Sequence, residues 1–175
     1  HPSITDIHFN NCFGNNIFDA LQSIFATDKP LNTIDVERND IHTIGQTSIP
    51  DFLAANPPVK VLCLANNMLK DEDVVLIANA LKRNTQLQEL TIFGGEVTKV
   101  GVDAILDVLY DPSSLNSVSD CNHSCVVYGI EEFDFYPAEE YSYYHLHLHN
   151  GDDGMGDDLD AHNQRALKIY HLLSV

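Results

Sequence analysis

The chain has 175 residues, 44% of them hydrophobic, enough for one ordinary domain or a short run of repeats with a buried core. Nine Lys and Arg stand against 26 Asp and Glu, a formal charge of −17 that repels phosphate backbones and anionic headgroups and argues against nucleic-acid and membrane-surface binding. No stretch approaches the roughly 18–20 apolar residues of a membrane span, and HPSITDIHF at the start lacks a basic segment followed by an apolar run.

One pattern recurs down the chain: apolar, two residues, apolar, one residue, apolar. It reads Ile4, Ile7, Phe9; Leu31, Ile34, Val36; Val59, Leu62, Leu64; Leu87, Leu90, Ile92; Leu115, Val118, with Asp120 in the third place; and Tyr143, Leu146, Leu148. The six starts at 4, 31, 59, 87, 115 and 143 are separated by 27, 28, 28, 28 and 28 residues, and each predicts a short strand. Three residues past each third position stand Cys12, Asn39 and Asn67, then Gly95, His123 and Gly151. A buried Asn at that place can bond the backbone of adjacent turns, so a ladder is predicted that weakens toward the C-terminus.

Between the strands the spacing turns helical. Ile17, Ala20, Leu21, Ile24 and Phe25 open the series, followed by Ile49, Phe52 and Leu53. The third unit is clearest, with Val74, Ile77, Ala78 and Leu81 at i, i+3, i+4 and i+7 behind the acidic start Lys70 to Asp73. Ala104, Ile105, Val108 and Leu109 continue it, and the helices end at Asp28, Asn56, Asn84 and Pro112, three residues before the next strand.

The segment from Val59 to Leu87, VKVLCLANNML with ANALKRNTQL, resembles the leucine-rich repeat family, specifically the long strand-plus-helix repeat of the ribonuclease-inhibitor type. The resemblance implies an α/β right-handed solenoid, a short horseshoe arc with parallel strands on the concave face and helices on the convex face. It covers the first four units and fades after about Ser119. On this reading residues 1–175 form a single leucine-rich repeat domain.

Beyond Cys125 the pattern breaks, since VVYGIEEFDFYPAEEYS is aromatic and acidic, with Pro137 and no stable period. Residues 126–142 are read as an irregular convex segment whose aromatics cover the core. No Lys or Arg falls between Lys99 and Arg165, while 14 acidic residues lie from Asp103 to Asp160. The end returns to helix over about 159–174, with Leu159, Ala166, Leu167, Tyr170 and Leu173 on one face, as a C-terminal cap of the kind an open-ended stack needs. No comparable cap precedes Ile4, which together with the absent Met suggests residues missing upstream that could carry a targeting signal.

Strand alternation sends the residues between apolar positions outward. The central row is His8, Asp35, Cys63, Thr91, Ser119 and His147, flanked by Glu89 on one side and by Asn10, Glu37 and Phe93 on the other. Such a mixed, polar face is the recognition surface that the family resemblance implies. Cys63 with His8 or His147 as base is disfavoured, because two or three strand spacings, about 10–15 Å, separate them.

A metal alternative rests on HLHLH, which projects His145, His147 and His149 from one side of the last strand; two of them with Asp152 or Asp153 could hold Zn²⁺ or Ni²⁺. GDDGMGDDLD lacks the DxDxDG spacing and closing Glu of an EF-hand and reads as an acidic turn. Cys12, Cys63, Cys121 and Cys125 follow the repeat, not a disulfide framework, and so point to the cytoplasm. Asn122, His123 and Ser124 form a glycosylation sequon.

The sequence thus predicts a non-catalytic, cofactor-free scaffold that recognises a protein, one of basic charge given the acidic half. Three alternatives stay open. GTPase-activating proteins that serve Ran resemble this repeat type and are acidic, although no loop Asn of that kind stands out here. The histidine run could make a metal-binding protein. The chain could also be the recognition part of a larger immune-type or signalling receptor.

Overall fold

The computed structural model describes residues 4–42, 46–130 and 161–174. Within them the chain runs β1 (Asp6–His8), α1 (Ile17–Phe25), β2 (Thr33–Asp35), α2 (Ser48–Ala54), β3 (Val61–Cys63), α3 (Asp71–Leu81), β4 (Glu89–Thr91), α4 (Lys99–Leu109), α5 (Leu115–Asp120), β5 (Val126–Tyr128) and α6 (Ala161–Ser174). The five strands form one parallel sheet in sequence order. Their central residues, Ile7, Ile34, Leu62, Leu90 and Val127, pair in register at steps of 27, 28, 28 and 37 residues.

Those central residues turn inward because strand side chains alternate, and Ile34, Leu62, Leu90 and Val127 are wholly buried. They share one core with the apolar stripes of the helices: Leu21, Ile49 and Leu53, Val74, Ile77 and Leu81, Val102, Ile105 and Leu109. A strand of three residues cannot enclose a core, so each depends on its neighbours. In the helix layer α3 packs against both α2 and α4. Its first turn carries Asp71, Glu72 and Asp73, and Asp73 accepts a 2.8 Å bond from the Lys70 N–H. Asp71 reaches across to α4, accepting from the Thr98 and Gly101 N–H groups at 2.7 and 3.0 Å.

The turn after each of the first four strands is built alike. Three residues past the strand end, Asn11, Arg38, Asn66 and Gly94 all take a positive φ of 53°, 56°, 53° and 83°. After the second and third strands the next residue, Asn39 and Asn67, is buried and turns its amide inward. Asn67 is 4% exposed; its Oδ1 accepts from the N–H groups of Asn39 and Ile41, and its Nδ2 donates to the carbonyls of Val36, Leu64 and Ala65. Asn39 does the same one unit earlier for Cys12 and Phe13. At Gly95 the side-chain ladder stops, as anticipated: an added Cβ would lie 2.5 Å from the Leu69 carbonyl, and that carbonyl accepts a backbone bond from the Glu96 N–H.

The fifth unit departs from the expected register. Residues 115–120 form helix α5, not a strand, and the strand lies at Val126–Tyr128, inside the stretch expected to be irregular. The physical reason is local: Ser114 is extended and its hydroxyl accepts from the Ser117 N–H, the geometry of a helix N-cap. As a strand this segment would also have turned Asp120 into the core. The fifth inward position goes instead to Val127.

The C-terminal helix is present over Ala161–Ser174, close to the 159–174 expected. It packs on α5, and Lys168, 2% exposed, donates to the carbonyls of Leu109 (2.6 Å) and Asn122 (3.1 Å). Burial drives its ammonium down to about 8. The sixth strand expected at 143–149 and the rest of the 126–142 segment, from residue 131 on, lie outside the described residues. Among the described residues no helix is long and apolar enough to cross a membrane.

Candidate functional site

The outward residues of the strands form two rows. One row runs His8, Asp35, Cys63, Thr91 and Tyr128, paired strand to strand in register; the other runs Asp6, Thr33, Val61, Glu89 and Val126. Tyr128 therefore takes the place expected for Ser119. Ser119 lies on α5, away from the strand row, where its hydroxyl bonds Arg165 and its carbonyl meets His123 Nε2. His145, His147, His149, Asp152 and Asp153 lie outside the described residues.

The densest chemistry is on β1 to β3. Asp35, between His8 and Cys63, has Oδ2 3.2 Å from His8 Nδ1 and 3.0 Å from Asn10 Nδ2, while its Oδ1 accepts from the Glu37 N–H at 3.2 Å. Burial works to raise the Asp35 carboxyl, yet the bonds from Asn10, His8, the Glu37 N–H and the Cys63 thiol outweigh it and hold it below the ordinary 3.8. Two residues further along, Glu37 Oε1 accepts from Asn66 Nδ2 at 3.0 Å and pairs with Arg38 at 3.2 Å. One ligand atom from each of Asp35, Glu37 and Cys63 lies within 4.8 Å of the other two.

Cys63 is half-buried, and burial first, then the charges of Asp35 and Glu37, push its thiol up to about 11 against the lowering pull of the Ala65 N–H. This order of groups does not activate a nucleophile. Asp35 separates His8 from Cys63, and the carboxylates keep the thiol protonated, whereas a thiolate nucleophile needs a base or cation beside sulfur.

On the other side of Cys63 the face continues with Thr91, paired to it in register, and with exposed Glu89. Phe93 is half-buried against Gly129, whose missing Cβ makes room for the ring. The expected residues His8, Asp35, Glu37, Cys63, Glu89, Thr91 and Phe93 thus fall on or beside one strand face. Sequence reading missed Asn66 as the amide that holds Glu37, and Tyr128 as the end of the row. The signal for Asn66 was the doubled Asn of ANNML: the second builds the ladder, and the first is left to turn outward.

The sequon is not presented by the folded chain. Asn122 is buried, with Nδ2 donating to the carbonyls of Leu81 and Asn84 at 2.7 and 2.8 Å.

No protein-family model matches the chain, and no curated protein matches it at a significant level.

Proposed function

We propose that this chain is a short solenoid of ribonuclease-inhibitor-type leucine-rich repeats that works as a non-catalytic protein-recognition scaffold, binding its partner on the strand face. The observation that carries this reading is the in-register double row of outward side chains over a sheet whose central residues are buried. A rigid, curved array of short strands presents side chains at fixed spacing, roughly 4.8 Å from strand to strand, so a partner meets a preorganised surface and little ordering cost arises on binding. Asp6, Asp35, Glu37 and Glu89 give that surface negative charge, and the whole chain carries −17, so a basic partner is the complementary one.

The alternation supports the repeat reading independently of the resemblance, because a strand and a helix of this length gain a core only by stacking on like units. The experiment is affinity capture from the soluble extract of the source cell, with this chain compared against Asp35→Lys, Glu37→Lys, Glu89→Lys combined. A specific protein retained by the first and lost by the second, with circular dichroism unchanged, is the expected result. Equal capture by both, or none by either, contradicts the strand-face assignment.

A further inference from the structure

The described part of the molecule holds one place where three metal donors of two kinds converge: a thiol from β3, a carboxylate from β2, and a second carboxylate from the turn after β2. Register brings them together, since Asp35 pairs with Cys63 and Glu37 follows Asp35 on the same side of the chain by alternation. Their ligand atoms lie within 4.8 Å of one another, and all three residues are half-buried. Ligand atoms around a tetrahedral Zn²⁺ stand roughly 3.5 Å apart, given metal bonds of about 2.0–2.3 Å. Closing that difference takes about 1 Å of side-chain rotation at the sheet surface.

The surroundings are those of an outer shell. Asn10 and His8 fix one oxygen of Asp35, and Asn66 and Arg38 both address Oε1 of Glu37, so each carboxylate is already oriented by neighbours that are not donors to the ion. The donor chemistry decides the cation. Ca²⁺ and Mg²⁺ take oxygen alone and would leave sulfur unused, whereas thiolate with carboxylate suits a borderline-soft divalent ion.

We propose that Asp35, Glu37 and Cys63 bind a single Zn²⁺-class divalent cation on the strand face, with His8 holding Asp35 in place and the fourth position open to water. Binding expels the thiol proton to solvent and joins sulfur to the metal, with no change of oxidation state. The site stands whether or not a protein docks on this face. It is distinct from the HLHLH run.

The test uses the reduced 175-residue chain carrying His145→Asn, His147→Asn and His149→Asn, which removes the histidine run. Titration with Co²⁺ should produce a sulfur-to-cobalt charge-transfer band and visible ligand-field bands, both abolished by added Zn²⁺. Cys63→Ser should remove the charge-transfer band, and Asp35→Asn and Glu37→Gln should each weaken Co²⁺ binding at least tenfold. Cys12→Ser with Cys121→Ser should leave the band intact. Absence of the band in the parent, its survival in Cys63→Ser, or unchanged affinity in both carboxylate variants would overturn the site. The carboxylate variants carry the test even if Cys63→Ser does not fold.

Discussion

Asn67→Ala should be among the most damaging single changes in this chain, and its cost can be built from the bonds it breaks. The Asn67 amide accepts from two N–H groups, those of Asn39 at 2.9 Å and Ile41 at 3.0 Å, and both residues are buried at 2% and 0% exposure. Leaving a buried donor unsatisfied costs about 1–3 kcal/mol. Two of them, with three carbonyls losing a donor as well, give about 3 kcal/mol, after allowing that a water enters the vacated space. Asn39→Ala breaks bonds of the same kind, but those run to the N–H groups of Cys12, which is exposed, and Phe13, which is half-buried, and to the carbonyls of exposed Phe9 and half-buried Glu37, so water can replace them and about 1 kcal/mol is expected. Urea unfolding followed by circular dichroism measures both, with the slope required to stay constant. A loss below about 1 kcal/mol for Asn67→Ala, or a larger loss for Asn39→Ala than for Asn67→Ala, would refute the ladder as a source of stability.

Other outcomes follow from the same geometry. Leu62→Ala or Leu90→Ala removes a wholly buried side chain from a central strand and should cost about 2–5 kcal/mol in the same urea assay; a cost under 1 would contradict the register. Val127→Asp should unfold the fifth unit while Asp120→Val should be tolerated, the reverse of what a strand at 115–120 would give. His123 is half-buried with Nδ1 unbonded, and burial first, then Lys168 and Arg165, lowers it to about 4 from an ordinary 6.5. The unfolded chain therefore binds more protons than the folded one between those values, so stability should fall as pH drops from about 6.5 to about 4 and this contribution should level off below. His123→Gln should flatten that part of the pH–stability curve; an unchanged slope would count against the assignment.

The second to fourth units were legible because three apolar positions recur every 28 residues and all nine are buried, whereas in the first unit Ile7 packs against the core and Ile4 and Phe9 are exposed. The same rule misled at the fifth. Leu115 and Val118 fit the period, but Ser113 and Ser114 compete for the backbone and favour a helix start, and Asp120 at an inward position was already a contradiction. Asn122 shows what happened to the chain. It repeats the bonding of Asn84, each Oδ1 accepting from the N–H groups two and three residues on, yet the two Asn stand 38 residues apart where 28 separate Asn56 from Asn84. An insertion carrying α5 displaces β5.

At the site, alternation alone was enough to put His8, Asp35, Glu37 and Cys63 on one face. The clustering of two carboxylates about the thiol was not readable, because alternation gives the face a side chain takes and not the distance between side-chain ends. Asn66 bonding Glu37 across a gap of 29 residues is a consequence of the turn, and no local spacing announces it.

Recognition by the strand face is tested by a photo-crosslinking amino acid placed at one position on each side of the molecule. Thr91 lies in the outward row of β4, and Asn79 is exposed on α3. With the partner obtained by capture, irradiation of the Thr91 variant should yield a covalent adduct, and irradiation of the Asn79 variant should not. An adduct from Asn79 alone would place recognition on the helix side and overturn the strand-face assignment.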